Sequence, residues 1–170
     1  MINIAIMGHG VVGSGVAEVI FSHSDSIEKK AKRKINIKYI LDLRDFPNLA
    51  YSDRFIKDFS IILNDPDIKV VAEVMGGVNP AFDFVKSCLL AGKSVVTSNK
   101  EVVSTFGVEL LEVAAKNNVR YLFEASVGGG IPIINAVADP LVSNQYDEVL
   151  GIMNGTTNYI LTKMTENGAD

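Results

Sequence analysis

Ile2-Asn3-Ile4-Ala5-Ile6-Met7-Gly8-His9-Gly10-Val11-Val12-Gly13 opens the chain, and its order of apolar run, glycine-rich turn and apolar-periodic segment decides the fold. Residues 2–7 read as a buried first strand. Val16, Ala17, Val19 and Ile20 then recur at helical spacing. Between strand and helix, Gly8 permits a tight turn and Gly10 lets main chain approach a pyrophosphate. Gly13 allows close packing of helix on strand, with the phosphates at the positive helix end. Gly8, His9, Gly10, Val11, Val12 and Gly13 are therefore candidate nucleotide contacts. A bare glycine pattern is weak, and a tight turn without ligand is the alternative; the place between an initial strand and a helix favours the nucleotide.

Downstream, Ile35 to Leu41 reads as a second strand leading into Asp42-Leu43-Arg44-Asp45, where the ribose of a bound dinucleotide would lie. An acid there bonds the 2′-hydroxyl of NAD, whereas an arginine accommodates the extra phosphate of NADP. Both are present. Asp42 lies further along than the usual spacing, which favours Arg44 and NADP, with a surface salt bridge as the other reading of Arg44. Asp58 to Asn64 predicts a short helix, and Ile68 to Met75 a strand ending at Gly76-Gly77. Open parallel sheets hold ligands at the carboxyl ends of their strands, so Gly76 should face the same cleft. Glu73 either serves the site or bonds nearby backbone. Asn79-Pro80 starts a helix through Leu90, with Gly92 as its stop.

The strand Ser94 to Thr97 delivers Thr97, Ser98, Asn99 and Lys100 to that edge. A helical segment around Val102 to Ser104, a helix from Val108 to Lys116 and a strand from Arg120 to Glu124 follow. Strand and helix alternate throughout, which predicts an α/β fold with a doubly wound parallel sheet and right-handed crossovers. Glu124 to Pro132 carries three successive glycines, Gly128 to Gly130, before a proline suited to opening a helix, as in a loop that lays main chain against a ligand or in a flexible domain connection. Beyond it, Ile133 to Val142 reads as helix, Tyr146 to Met153 as strand, and Asn154-Gly155-Thr156-Thr157-Asn158 leads into a final helix ending near Gly168. Residues 1–130 thus read as a nucleotide-binding domain and 131–170 as the beginning of a second domain, too small for a core of its own, so that the chain is expected to end inside it.

Composition bounds the partners. The 170 residues are 48% hydrophobic and 21% charged with net charge −4, an ordinary globular balance that gives no reason to expect nucleic acid. The run Lys29-Lys30-Ala31-Lys32-Arg33-Lys34 reads as a solvated helix end, an anion patch being the alternative. One cysteine, Cys88, and two histidines make neither a disulfide nor a Cys/His zinc site within one chain, which points to a reducing, cytoplasmic setting. The apolar run at the N-terminus is too short for a signal peptide or a membrane span.

Five ordered blocks together carry a resemblance over the whole chain: Gly8 to Gly13, Glu73-Val74-Met75-Gly76-Gly77, Val95-Val96-Thr97-Ser98-Asn99-Lys100, Glu124 to Pro132, and Gly151-Ile152-Met153-Asn154-Gly155-Thr156-Thr157-Asn158-Tyr159-Ile160. In them the chain resembles the N-terminal part of homoserine dehydrogenases, which interconvert homoserine and aspartate semialdehyde with NAD(P). The family usually has alanine where Ser98 stands.

The resemblance implies a Rossmann domain followed by an α/β substrate and dimerisation domain, and a homodimer or higher oligomer in the pathway to threonine, methionine and isoleucine. It implies Arg44 on the NADP phosphate, and Thr97, Ser98 and Lys100 on the nicotinamide side. Asn154, Thr156 and Thr157 would meet substrate, and oxygens of Glu124, Val127, Gly129 and Ile131 would hold sodium. Reducing an aldehyde needs a proton for the nascent alkoxide, and a lysine whose pKa is lowered by its surroundings suits that task; Lys100 is the candidate, with pairing to Glu101 or cover of the helix start as its other reading. The family's downstream acidic segment that contacts homoserine, and a second catalytic lysine, have no counterpart in these residues. Cofactor binding without turnover is therefore expected of the chain alone. A free-standing dinucleotide-binding module, or a dehydrogenase of another small semialdehyde, are the alternatives.

Overall fold

A computed structural model describes residues 1–138, 143–151 and 154–168. Its centre is a six-stranded sheet in the order β3-β2-β1-β4-β5-β6, with every neighbouring pair parallel. The strands are β1 (Ile2–Met7), β2 (Ile35–Leu41), β3 (Phe55–Ile56), β4 (Ile68–Glu73), β5 (Ser94–Thr97) and β6 (Tyr121–Leu122). Between them run α1 (Val11–Ser22), α2 (Ser24–Ala31), α3 (Phe59–Asn64), α4 (Ala81–Leu90) and α5 (Lys100–Lys116); α6 (Ile133–Ala138) and α7 (Gly155–Asn167) follow.

β1 is apolar on both sides because both faces of the sheet are covered. Ile4 and Ile6 join Ile37, Ile40, Ala72 and Ala17 of α1 in one cluster. Ala5 and Met7 point the other way, into a cluster with Val85, Cys88 and Leu89 of α4 and Val102 and Leu110 of α5. Burying an aliphatic side chain of this size contributes about 2 kcal/mol, so the two clusters hold the sheet's order in place.

Local chemistry sets the helix starts. Asp58 caps α3 by accepting the Ser60 N–H, and Asn99 caps α5 by accepting that of Val102. Gly92 follows α4 with φ of 75°, a conformation that suits glycine. The segments at Val102–Ser104 and Val108–Lys116 are a single helix, α5: Gly107 does not break it, because Phe106 stacks on Phe82 of α4 with ring centroids 4.1 Å apart. The strand expected over Arg120–Glu124 shrinks to β6, since β5 offers it only Val95 and Val96 as partners, and Glu124–Ser126 turns into a 3₁₀ helix. Residues 146–151 of the expected strand Tyr146–Met153 are not strand; 152 and 153 lie outside the described residues. Of the helix expected over Ile133–Val142, α6 covers Ile133–Ala138, and 139–142 lie outside them.

Candidate functional site

The sheet reverses its order between β1 and β4, and a crevice opens at the carboxyl ends of such neighbouring strands. Gly8 and Gly10 follow the end of β1, Gly76 that of β4, and Ser98 and Lys100 that of β5, so the glycine turn and the lysine stand at the same edge of the sheet. Gly8 has φ of 98°, and a Cβ on Gly13 would sit 2.0 Å from the Gly8 carbonyl oxygen. The turn closes only with glycine at both places. Above Gly10 the space is open, as needed for a ligand against main chain, and Val11 and Val12 are exposed beside it.

The end of the crevice beside β2 has its own geometry. Asp42 accepts the His9 N–H at 2.8 Å and the Arg44 N–H at 2.9 Å. Arg44 clasps the same carboxylate, with Nε at 2.9 Å and Nη2 at 2.8 Å, and Nη2 also donates to the His9 carbonyl at 3.0 Å. The hydrogen bonds from Arg44 hold the Asp42 carboxyl far below the usual carboxylate range, and those of main chain add to this. The two readings of Arg44 thus meet in one residue: it forms a salt bridge and still lines the cavity. That cavity, about 630 Å³, is bounded by the glycine turn, Asp42, Arg44, Lys57 and the aromatic rings of Phe59 and Phe84.

His9 turns its ring away from solvent into a box of Phe46, Tyr51 and Phe55, at centroid distances of 4.6, 5.9 and 4.9 Å. Its Nε2 meets the Tyr51 hydroxyl at 3.2 Å, and burial is the main cause that lowers its pKa. Lys57 escaped the sequence reading. It stands directly after β3, a strand too short to show a period, and pairs with Asp45 at 2.7 Å. The signal was a lone cation behind the apolar pair Phe55-Ile56.

At the other end Glu73, Thr97 and Asn99 form a buried network. Glu73 accepts the Met75 N–H at 2.9 Å and the Thr97 hydroxyl at 2.6 Å, while the Asn99 amide donates to the Gly77 carbonyl at 2.6 Å. The network ties the loop after β4 to the start of α5. Lys100 is exposed on the first turn of α5 and makes no ion pair among the described residues, so the pairing with Glu101 is not formed. Thr97 and Ser98 line a second cavity of about 450 Å³ that reaches β6 and α6.

Two groups stand apart. The Glu124 carboxylate accepts the N–H groups of Ile134 and Asn135 at 2.9 and 2.7 Å and so covers the start of α6. Cation binding by this loop would fall to main-chain carbonyls, which the positive φ angles of Gly128 and Gly129 help to turn; Val127, Gly129 and Ile131 are exposed. No cluster of three acidic, histidine or cysteine side chains that would suit a metal occurs among the described residues. Asn154 accepts the Thr157 N–H at 2.8 Å as the cap of α7; with Thr156 and Thr157 it is exposed and lines neither cavity. No helix among the described residues is long and apolar enough to cross a membrane.

Comparison with known proteins agrees with this geometry. The family model described as homoserine dehydrogenase, NAD binding domain, matches residues 8–124, and the one described as homoserine dehydrogenase matches residues 132–170. The homoserine dehydrogenase of Lactococcus lactis is 37% identical over 171 residues, covering 97% of this chain and 40% of the relative. That of Bacillus subtilis is 38% identical over 170 residues, covering 96% and 38%. The chain thus spans about 40% of the length of the curated relatives it matches. Among solved structures, a homoserine dehydrogenase from Thiobacillus denitrificans superposes with a TM-score of 0.92 at 35% identity, over 99% of this chain and 39% of that one. A hyperthermophilic archaeal homoserine dehydrogenase mutant in complex with NADPH gives 0.82 at 27% identity, over 97% and 56%.

Proposed function

The chain belongs to the homoserine dehydrogenase family, and on that premise we propose that it supplies the nucleotide-binding part of an enzyme that interconverts homoserine and aspartate semialdehyde with NAD(P). What carries the reading is the shared edge: glycine turn, Gly76 and Lys100 all follow carboxyl ends of parallel strands across the reversal between β1 and β4. A dinucleotide laid across that reversal has its pyrophosphate at the start of α1, its adenosine beside Asp42 and its nicotinamide over β4 and β5. When bound, it carries the hydride.

The chain's own residues bind and orient. Arg44 and Lys57, two cations on one cavity, support NADP over NAD. Asn99 caps α5 directly before Lys100, which gives the lysine a fixed base from which its ammonium donates a proton to the alkoxide oxygen and takes it back in the reverse direction. Asn154, Thr156 and Thr157 are proposed as substrate contacts, and carbonyls of Glu124, Val127, Gly129 and Ile131 as a sodium site, both by likeness to the family. Residues 1–130 would then form the nucleotide domain and 131–170 the start of the substrate and dimerisation domain. Exposed Ile160, Leu161 and Met164 on α7 support subunit pairing. The buried lone thiol of Cys88 suits a reducing cytoplasm.

The test is homoserine-dependent reduction of NADP⁺ by the protein in which this chain occurs, with and without Lys100→Met. The variant should lose about 100-fold in kcat and keep NADPH affinity. Undiminished turnover in the variant, or no response of the unaltered protein to homoserine, would contradict the proposal. The 170 residues alone should bind nucleotide without turnover.

A further inference from the structure

Glu73 is the last residue of β4 and has no exposed surface. Three groups donate to its carboxylate: the Met75 N–H and, at 3.4 Å, the Asn99 amide on Oε1, and the Thr97 hydroxyl on Oε2. The Thr97 oxygen also accepts the Asn99 N–H at 2.9 Å, so one hydroxyl joins Glu73 to the start of α5. Two N–H groups and one hydroxyl thus surround the carboxyl, a set of donors that suits a carboxylate anion. Among the described residues no lysine, arginine or histidine pairs with it. The Tyr121 hydroxyl, buried and without a hydrogen-bond partner among the described residues, is pushed up first by burial and then by Glu73.

The register places this charge with Met7 of β1 on one side and Thr97 of β5 on the other. With the adenosine end beside Asp42, the other end of a dinucleotide crosses above Glu73. Oxidised nicotinamide is a cation and reduced nicotinamide is neutral. A dry carboxylate beneath the ring, balanced only by neutral donors, acts on that difference with little screening.

We propose that Glu73 is a specificity-determining residue for the oxidation state of the nucleotide, its buried charge favouring the oxidised form over the reduced one. The inference rests on the nucleotide-binding reading above and goes beyond it. It is distinct from a purely structural role, which would affect both forms alike.

The experiment compares the unaltered chain with Glu73→Gln, which keeps the side chain's size and an acceptor for Met75. Enhancement of NADPH fluorescence gives the reduced-form Kd, and displacement by NADP⁺ gives the oxidised-form Kd. Glu73→Gln should weaken NADP⁺ about fivefold while NADPH stays within twofold. An equal change in both, or no change, overturns the inference. Should circular dichroism show that Glu73→Gln does not fold, Glu73→Asp takes its place: it withdraws the charge by one methylene, so the ratio of the two Kd values should shift toward NADPH by less than the roughly fivefold expected of Glu73→Gln, and an unchanged ratio overturns the inference. An unaltered chain that binds neither nucleotide would remove the proposed function itself. One that binds both, with a variant of unchanged ratio, removes only this inference.

Discussion

The Asp42 carboxylate accepts the main-chain N–H of His9 at 2.8 Å, so the acid at the end of β2 holds the middle of the glycine turn that ends β1. Arg44 completes the unit by bonding both Asp42 and the His9 carbonyl. Under the role proposed for Arg44, the shape of the turn and the choice of cofactor are linked. Arg44→Ala should weaken NADPH about tenfold, the worth of one lost charge-assisted contact, and leave NADH within twofold. Titrating both reduced cofactors by fluorescence checks this; equal losses would assign Arg44 to the turn alone.

Gly10 and Gly13 separate binding from folding. Alanine at Gly13 meets the Gly8 carbonyl at 2.0 Å, so Gly13→Ala should cost about 3 kcal/mol and lower the thermal midpoint by roughly 8 °C. Alanine at Gly10 meets nothing within 4 Å among the described residues, so Gly10→Ala should melt with the unaltered chain yet bind NADPH at least tenfold more weakly. Melting curves beside titrations of both variants decide it.

His9 makes stability depend on pH. Burial lowers its pKa below the ordinary 6.5, Arg44 acts in the same direction, and Asp42 opposes them. The folded value therefore lies under the unfolded one. Stability from this residue is complete above 6.5 and is lost as pH falls through that value toward the folded one. The thermal midpoint should fall between about pH 7 and pH 5. His9→Phe, which keeps an aromatic ring among Phe46, Tyr51 and Phe55, should flatten that slope; an unchanged slope would place the titration elsewhere. Asp42 titrates far lower and does not enter this window.

Cys88 sits in the α4 core, where burial pushes its thiol up to about 12. The native chain should leave a disulfide reagent unreacted at pH 8 and consume one equivalent only on unfolding. Rapid native labelling would mean that α4 opens readily.

The parts legible in the sequence are those written in local pattern. Ile2–Gly13 reads directly because an apolar strand, glycines with fixed duties and an apolar-periodic helix lie side by side. The ends of β4 and β5, and Lys100 with them, read because turn residues punctuate each element. What tertiary contact decides does not read. α5 runs through Gly107 because Phe106 is pinned by Phe82, and β3 exists only as two residues paired to Ile40 and Leu41. With β3 unseen, Lys57 had no place in the site. The Glu73 network joins residues 24 and 26 positions apart, a separation that no local pattern records. Tyr146, Val149 and Leu150 suggest a strand, yet Tyr146 to Gly151 is not strand, and Asp147, Glu148 and Gly151 among them are poor strand formers.

In the function proposed, a nicotinamide nucleotide lies across the carboxyl ends of β1, β2, β4 and β5 with main chain at Gly10 against its pyrophosphate. Titration of the 170-residue chain with NADPH, followed by nicotinamide fluorescence beside a Gly10→Val variant, tests it most directly. Saturable one-to-one binding by the unaltered chain, abolished in a Gly10→Val variant that still melts normally, is the expected result. Binding that survives Gly10→Val undiminished, or no saturable binding by the unaltered chain, would contradict it.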